Sequence, residues 1–450
     1  MRKLLTGTAI TVLSMGAAAA QEIGPFTVGE GPFDWDGYQA FADATDLSGQ
    51  TVTITGPWTG DEKAKFDNVM AVFEEATGAN AEYSGSDSFE QDIVISARAG
   101  SAPNLAVFPQ PGLAADMAGQ GLLTPLPDGT ADWLRDGYAA GDSWVDLATF
   151  EGPDGEEDLY GMFYRVDLKS LVWYSPAAFD EMGYDIPGTM EELKALTDQI
   201  VEDGGTPWCI GLGSGAATGW PATDWVEDMM LRLHAPEDYD AWVTNDLKFD
   251  DPKVIAAIKE FGSFARNDDY VAGGAQSVAS TDFRDSPTGL FEIPPACYLH
   301  RQASFIPAFF PDDVEVGQDA DFFYFPAFEG QDLGQPVLGA GTLFAITDPS
   351  DAANAMLEFL KLPIAHETWM AQGGFLTAHA GVNPEAYADD ALRAQGEILR
   401  DATTFRFDAS DLMPGEIGAG AFWTGMVDYV TGASAEDVGA AIQSRWDALN

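Results

Sequence analysis

Tryptophans and carboxylates recur together on stretches that read as loops or helix starts. Trp220 is followed by Asp224 and Trp225 where a helix opens, and Trp58 precedes Asp61 just after a β-branched run. Asp87 and Gln110 follow two further apolar segments, and Arg301 lies in ACYLHRQASF with Cys297 and His300. Aromatic faces cover the C–H faces of a sugar ring while carboxylates and amides grip hydroxyls, a division of labour that suits a neutral polyol. A helix start with buried tryptophans is the alternative for Trp220 to Trp225. Two carboxyl groups about 5 to 9 Å apart would also serve a secreted glycosidase, and the sequence leaves that open.

Other chemistries lack their residues. The histidines, His234, His300, His366 and His379, show neither HxH nor HExxH spacing, so no metal site is expected. Neither GxSxG nor a Walker A motif occurs. Gly211, Gly213 and Gly215 approach a dinucleotide loop, but Ala216 and the missing partner spacing argue against one, and no cofactor is expected.

The elements that must position these residues alternate between strand and helix. Thr51 to Thr55 is a β-branched strand broken by Gly56 and Pro57, and a helix from Asp61 sets Phe66, Val69, Met70 and Phe73 on one face before Gly78. A strand near Asn80 to Ser84, a helix over Phe89 to Ala99 capped by Asp87 or Ser88, and a strand at Leu105 to Phe108 continue the series. This alternation implies a parallel sheet whose crevice lies beyond the strand carboxyl ends, on the loops that carry Trp58 to Asp61, Asp87 and Gln110. Tyr160 to Tyr174 (YGMFYRVDLKSLVWY) reads as one long strand. At roughly 3.3 Å per residue it would reach about 50 Å, enough to link two lobes, although a central strand of one sheet is the other reading. Further on, Thr189 to Val201 is a helix with a capping box, Pro252 to Ala265 a second, and VLGAGTLFAI a strand whose Gly339 and Gly341 would let backbone approach a ligand. Residues 21 to 45 read as an extended arm packed by its aromatics.

With 450 residues and 46% hydrophobic content, the chain can bury a large core spread over two or three domains. Arg2 and Lys3, an apolar run from Leu4 to Met15 and the alanines before Gln21 form the pattern of a cleaved export signal, residues 1–20. The apolar run is too short to span a bilayer, and direct membrane insertion is not expected. Acidic residues number 73 and basic residues 21, for a net charge of -52, which repels nucleic acid and anionic membranes and reads as a solvated acidic surface adapted to salt. Cys209 and Cys297, an even pair in an exported chain, read as one disulfide, with two buried thiols the alternative.

Several segments together resemble family 1 extracellular solute-binding proteins of ABC sugar importers, and among these the α-glucoside-binding proteins. They are FPQPG at Phe108 to Gly112, KSLVWY at Lys169 to Tyr174, TPWCIGLGSG, GWPATDW, CYLHRQASF, and FDASDLMP at Phe407 to Pro414. The AFW at Ala421 to Trp423 is similar to the segment that supplies a sugar-stacking tryptophan in maltose-binding proteins. The resemblance implies an α/β, two-lobe periplasmic binding protein fold, each lobe a mainly parallel sheet flanked by helices, joined by hinged crossover strands. It places residues 46–163 and 326–376 in the first lobe and 164–325 in the second, with the helices of 377–450 divided between them. It further implies a periplasmic monomer that captures an α-glucoside between the lobes and delivers it to ABC permease transmembrane subunits. The expected ligand contacts are Trp58, Asp61, Asp87, Gln110, Trp220, Asp224, Arg301, Gly339, Gly341 and Trp423. The scarcity of Lys and Arg departs from the family and puts the permease-contact charges in doubt.

Overall fold

A computed structural model describes residues 21–138, 141–401 and 404–449; the expected export signal lies outside the described residues. The N-terminal segment is not simply extended. It forms a short hairpin, Glu22–Ile23 with Phe26–Thr27, and then a helix, Trp35–Ala44. The helix begins there because the Asp34 carboxylate accepts the Gly37 N–H at 3.0 Å, an N-cap the aromatic composition had obscured. Its aromatics do pack, with Phe33 edge-on to both Phe26 and Trp35.

The first lobe follows the alternation. Strand β1 (Thr51–Gly56) buries Val52 and Ile54, and helix α1 (Gly60–Thr77) buries Phe66, Val69, Met70 and Phe73 before ending at Gly78 with φ 71°. Only a left-handed turn closes this helix end, and glycine adopts it without strain. Strand β2 (Asn80–Gly85) pairs in parallel with β1 along its whole length, and after helix α2 (Phe89–Arg98) the fully buried β3 (Leu105–Phe108) pairs in parallel on its other side.

The stretch from Tyr160 to Tyr174 is two strands rather than one, β4 (Gly161–Leu168) and β5 (Leu171–Tyr174), and they belong to different sheets. The break falls at Lys169 and Ser170, because side chains of helix α3 (Trp220–Leu233) capture both: Asp224 takes the Lys169 ammonium at 2.7 Å and Asp228 the Ser170 hydroxyl at 2.7 Å. Here β5 lies between β6 (His300–Arg301) and β7 (Asp321–Tyr324), antiparallel to each. The second lobe is thus built differently from the first. Five α-helices separate β5 from β6, yet the strands that return to β5 pair with it antiparallel, which requires no crossover. Among the described residues its parallel pairings are single bridges, such as Trp208 with Val271 and with Leu299.

The chain returns to the first sheet through β8 (Pro336–Ile346), which pairs antiparallel with β3 and β4, and in parallel with β9 (Thr404–Phe407). Helix α4 (Trp423–Val430) and the last helix, Ala435–Asp447, then bury Met426, Tyr429, Ile442 and Trp446 in the second lobe's core. The segment after residue 377 therefore serves both cores. Cys209 and Cys297 are joined, with Cα atoms 5.5 Å apart. They lie against Gly289, where a Cβ would come within 2.5 Å of the Cys297 sulfur. The chain crosses between the sheets near residues 169–170, 325–336 and 407–409.

Candidate functional site

Where these crossings meet, the two lobes enclose a cavity of about 150 Å³. Its first wall begins at the end of β1. The Trp58 N–H donates to the Tyr83 hydroxyl at 2.8 Å, and the indole packs on Phe66 and Trp369, so Trp58 is a core residue with one edge on the cavity. Asp61 lies outside this lining; it pairs with Lys65 at 2.8 Å, its side chain 52% exposed. One residue along a helix is a turn of about 100°, and it is Glu62 that faces inward. Glu62 accepts from Arg165 at 2.6 Å, and Arg165 also pairs with Asp167 at 3.1 Å.

Gln110, just past β3, donates through Nε2 to Glu90 at 3.0 Å, and its Oε1 is buried without a hydrogen-bond partner among the described residues. Burial raises the Glu90 carboxyl above the usual range. Gly341 lines the cavity: a Cβ there would sit 2.8 Å from the Arg165 carbonyl, so glycine lets β8 close on β4. The register shifts at the next residue, Thr342, whose buried Oγ1 also lacks a hydrogen-bond partner among the described residues. Gly339 lies outside the lining, and a Cβ there would collide with the Phe405 ring, so this glycine serves packing against β9.

On the second wall, α3 starts at Gly219, where φ is 119° and a Cβ would run into the Trp423 carbonyl. Glycine there brings the starts of α3 and α4 into backbone contact. Trp220 packs edge-on to Phe283 at 4.9 Å, and Lys169 Nζ lies 5.5 Å from its ring centre. Trp423 follows a π-helical turn, Glu416–Phe422, and its Nε1 is buried without a hydrogen-bond partner among the described residues. Gly418 does not make room for a ligand; its Cα is pressed against the Ser410 carbonyl. Arg301 lies behind the wall, 1% exposed at its side chain, bonded to Asp228 at 2.5 Å and 3.7 Å from Asp224. It can act on the cavity only through Asp224. Asp87, from the first lobe, spans to Arg284 of the second at 2.5 Å.

A buried charge group links the walls. Lys169 bonds Asp224 and Asp408, while Glu227 accepts from the Ser410 N–H at 2.9 Å. Carboxylates outnumber ammonium here, so burial raises Asp224, Glu227 and Asp411, whereas Lys169 and the hydrogen bonds from its neighbours hold Asp408 low. Oxygens of Asp224, Glu227 and Asp408 lie close enough together to hold a cation, but Lys169 already supplies one to two of them.

Glu62, Arg165, Lys169, Arg284 and Thr342 escaped the reading of the sequence. Arg165, Asp167 and Lys169 nevertheless carried a signal, because three charges at alternate positions of an apolar strand share one face. Thr342 and Arg284 carried none.

The model of bacterial extracellular solute-binding proteins matches residues 56–368. The chain belongs to that family. This solute-binding protein is 59% identical over 448 residues to the alpha-glucosides-binding periplasmic protein AglE of Rhizobium meliloti (strain 1021), covering 99% of this chain and 97% of the relative. It is 42% identical to the osmoprotective compounds-binding protein GgtB of Synechocystis sp., covering 89% and 93%. Solved structures of the same two-lobe fold include the bacterial solute receptor AcbH (TM-score 0.76, 18% identity, 89% and 99% covered). Maltose-bound T. maritima MalE3 is another (TM-score 0.69, 15% identity, 89% and 100% covered).

Proposed function

We propose that this protein is the capture component of an ABC importer, holding a neutral α-glucoside between its lobes in the periplasm and passing it unaltered to the permease subunits. The observation that carries this reading is the set of polar atoms around the cavity that lack a hydrogen-bond partner among the described residues and are not ion-paired: Gln110 Oε1 and Thr342 Oγ1 on one wall, Trp423 Nε1 on the other. A buried polar atom left without a partner costs about 1 to 3 kcal/mol. A molecule that satisfies all three must both donate and accept, as sugar hydroxyls do. Trp220 and Trp423 add aromatic surface beside these atoms. The similarity to AglE points to α-glucosides among such molecules.

In this reading Trp58, Asp87, Gln110, Trp220, Asp224, Gly341 and Trp423 form the ligand surface, joined by Glu62, Arg165 and Thr342. Calorimetry with maltose, trehalose and sucrose, each incubation followed by product analysis, tests it. Saturable binding with the sugar recovered intact is expected. Release of glucose would turn the reading to a glycosidase, and failure to bind any of the three would overturn the ligand class.

A further inference from the structure

The cavity carries polar groups in two different states. Gln110 Oε1, Thr342 Oγ1 and Trp423 Nε1 lack hydrogen-bond partners among the described residues, whereas Asp87 and Arg284 are spent on each other across the lobes. Arg284 is also fixed on its own lobe. Its N–H donates to Asp282 Oδ1 at 2.9 Å, and its guanidinium lies 4.5 Å from the centre of the Phe283 ring. Gly215 of the second lobe closes on Asp87 as well: a Cβ there would sit 3.3 Å from the Asp87 Cβ. Both charged residues line the cavity.

We propose that the Asp87–Arg284 ion pair is a wall that sets ligand length, admitting a two-ring or smaller glucoside and turning away longer linear chains. This rests on the α-glucoside reading of the same cavity. A short ligand leaves the pair formed, so the lobes close on it with their own ion pair added to the sugar contacts. A third ring must either displace the pair or hold the lobes apart, and it loses those contacts. Exclusion by a built obstacle discriminates without any better contact to the favoured ligand.

The test compares maltose with maltotriose by calorimetry on the wild-type chain and on Arg284→Ala and Asp87→Ala, with melting curves to show that each variant is folded. The wild type should favour maltose by about tenfold or more, and both variants should narrow the ratio to about threefold, each tenfold being about 1.4 kcal/mol. Arg284 and Asp87 are partly exposed, so if one variant fails to fold the other decides. Equal affinity of the wild type for the two sugars, or a ratio unmoved in the folded variants, overturns the wall. If the wild type binds neither sugar, the glucoside reading fails and the wall fails with it.

Discussion

Lys169 Nζ lies 2.7 Å from Asp224 Oδ1 and also grips Asp408, so the residue at which the chain leaves one sheet is ion-paired to the start of α3 and to the third crossing. Position and charge are both at work here. The ammonium holds the walls of the cavity in register and compensates carboxylates that burial would otherwise expel.

Lys169→Met should therefore destabilise the protein by about 3 to 5 kcal/mol, because it leaves paired carboxylates buried without their cation. Urea unfolding followed by tryptophan fluorescence measures this. A midpoint equal to the wild type would mean that the carboxylates are neutral without help from lysine.

Trp423 offers a ring face and an N–H, and the two can be separated. Trp423→Phe keeps much of the ring and removes the Nε1 donor, so α-glucoside affinity should fall about five- to tenfold, as for one hydrogen bond. Trp423→Ala loses the ring surface as well and should fall about ten- to a hundredfold. Calorimetry at matched melting temperatures reads both. Equal losses in the two variants would assign the whole effect to the N–H.

The buried acids make stability depend on pH. Asp224, Glu227 and Asp411 are raised above their usual range, so the folded chain keeps protons that the unfolded chain has already released. Their contribution is present at low pH and is lost as pH rises through the folded values. The melting temperature should accordingly decline from pH 6.5 to 8.5. Glu227, which hydrogen-bonds Asp408 when protonated, is the residue to replace. Glu227→Gln should flatten the decline relative to the wild type, and a parallel decline in the two proteins would place the titration elsewhere.

Reduction should weaken the second lobe selectively. The disulfide closes a separation of 88 residues wholly within that lobe. Losing such a bond typically costs about 2 to 5 kcal/mol. Calorimetric scans with and without reductant should show one component shifting down, and a uniform shift of the entire transition would indicate that the lobes unfold as one.

Ligand should also close the lobes around the three crossings, since contacts from both walls must be made at once. X-ray scattering should report a smaller radius of gyration with saturating sugar. An unchanged radius would argue for a preformed closed state.

The first lobe was legible in the sequence because each of its elements has its own period and stop: Val52 and Ile54 alternate, Phe66 to Phe73 repeat on one helix face, and Gly78 ends the helix. The division of Tyr160 to Tyr174 was not, because its cause is tertiary: Asp224 and Asp228 pull on Lys169 and Ser170 from more than fifty residues away. Among the candidate contacts, Gln110, Trp220 and Asp224 could be placed from strand ends and a helix start. Asp61 and Glu62 could not be told apart, since both occupy the first turn and only packing fixes which one faces inward. Arg301 read as a site residue for its charge, yet that charge is consumed inside the lobe.

The strand β8 touches β3, β4 and β9, and it lies more than 220 residues after β3 in a chain made from its amino end. During synthesis the first sheet must therefore wait, its middle missing and the edges of β3 and β4 unpaired, and the second lobe must wait as well, because Met426, Tyr429, Ile442 and Trp446 complete its core from the last helices. Unpaired edges of this kind are sticky. The order of emergence thus leaves both lobes to close late, each on chain that follows Pro336. A chain cut before Pro336 should digest readily in both lobes, and a protease-resistant core within residues 171–325 would show that the second lobe closes without its last helices.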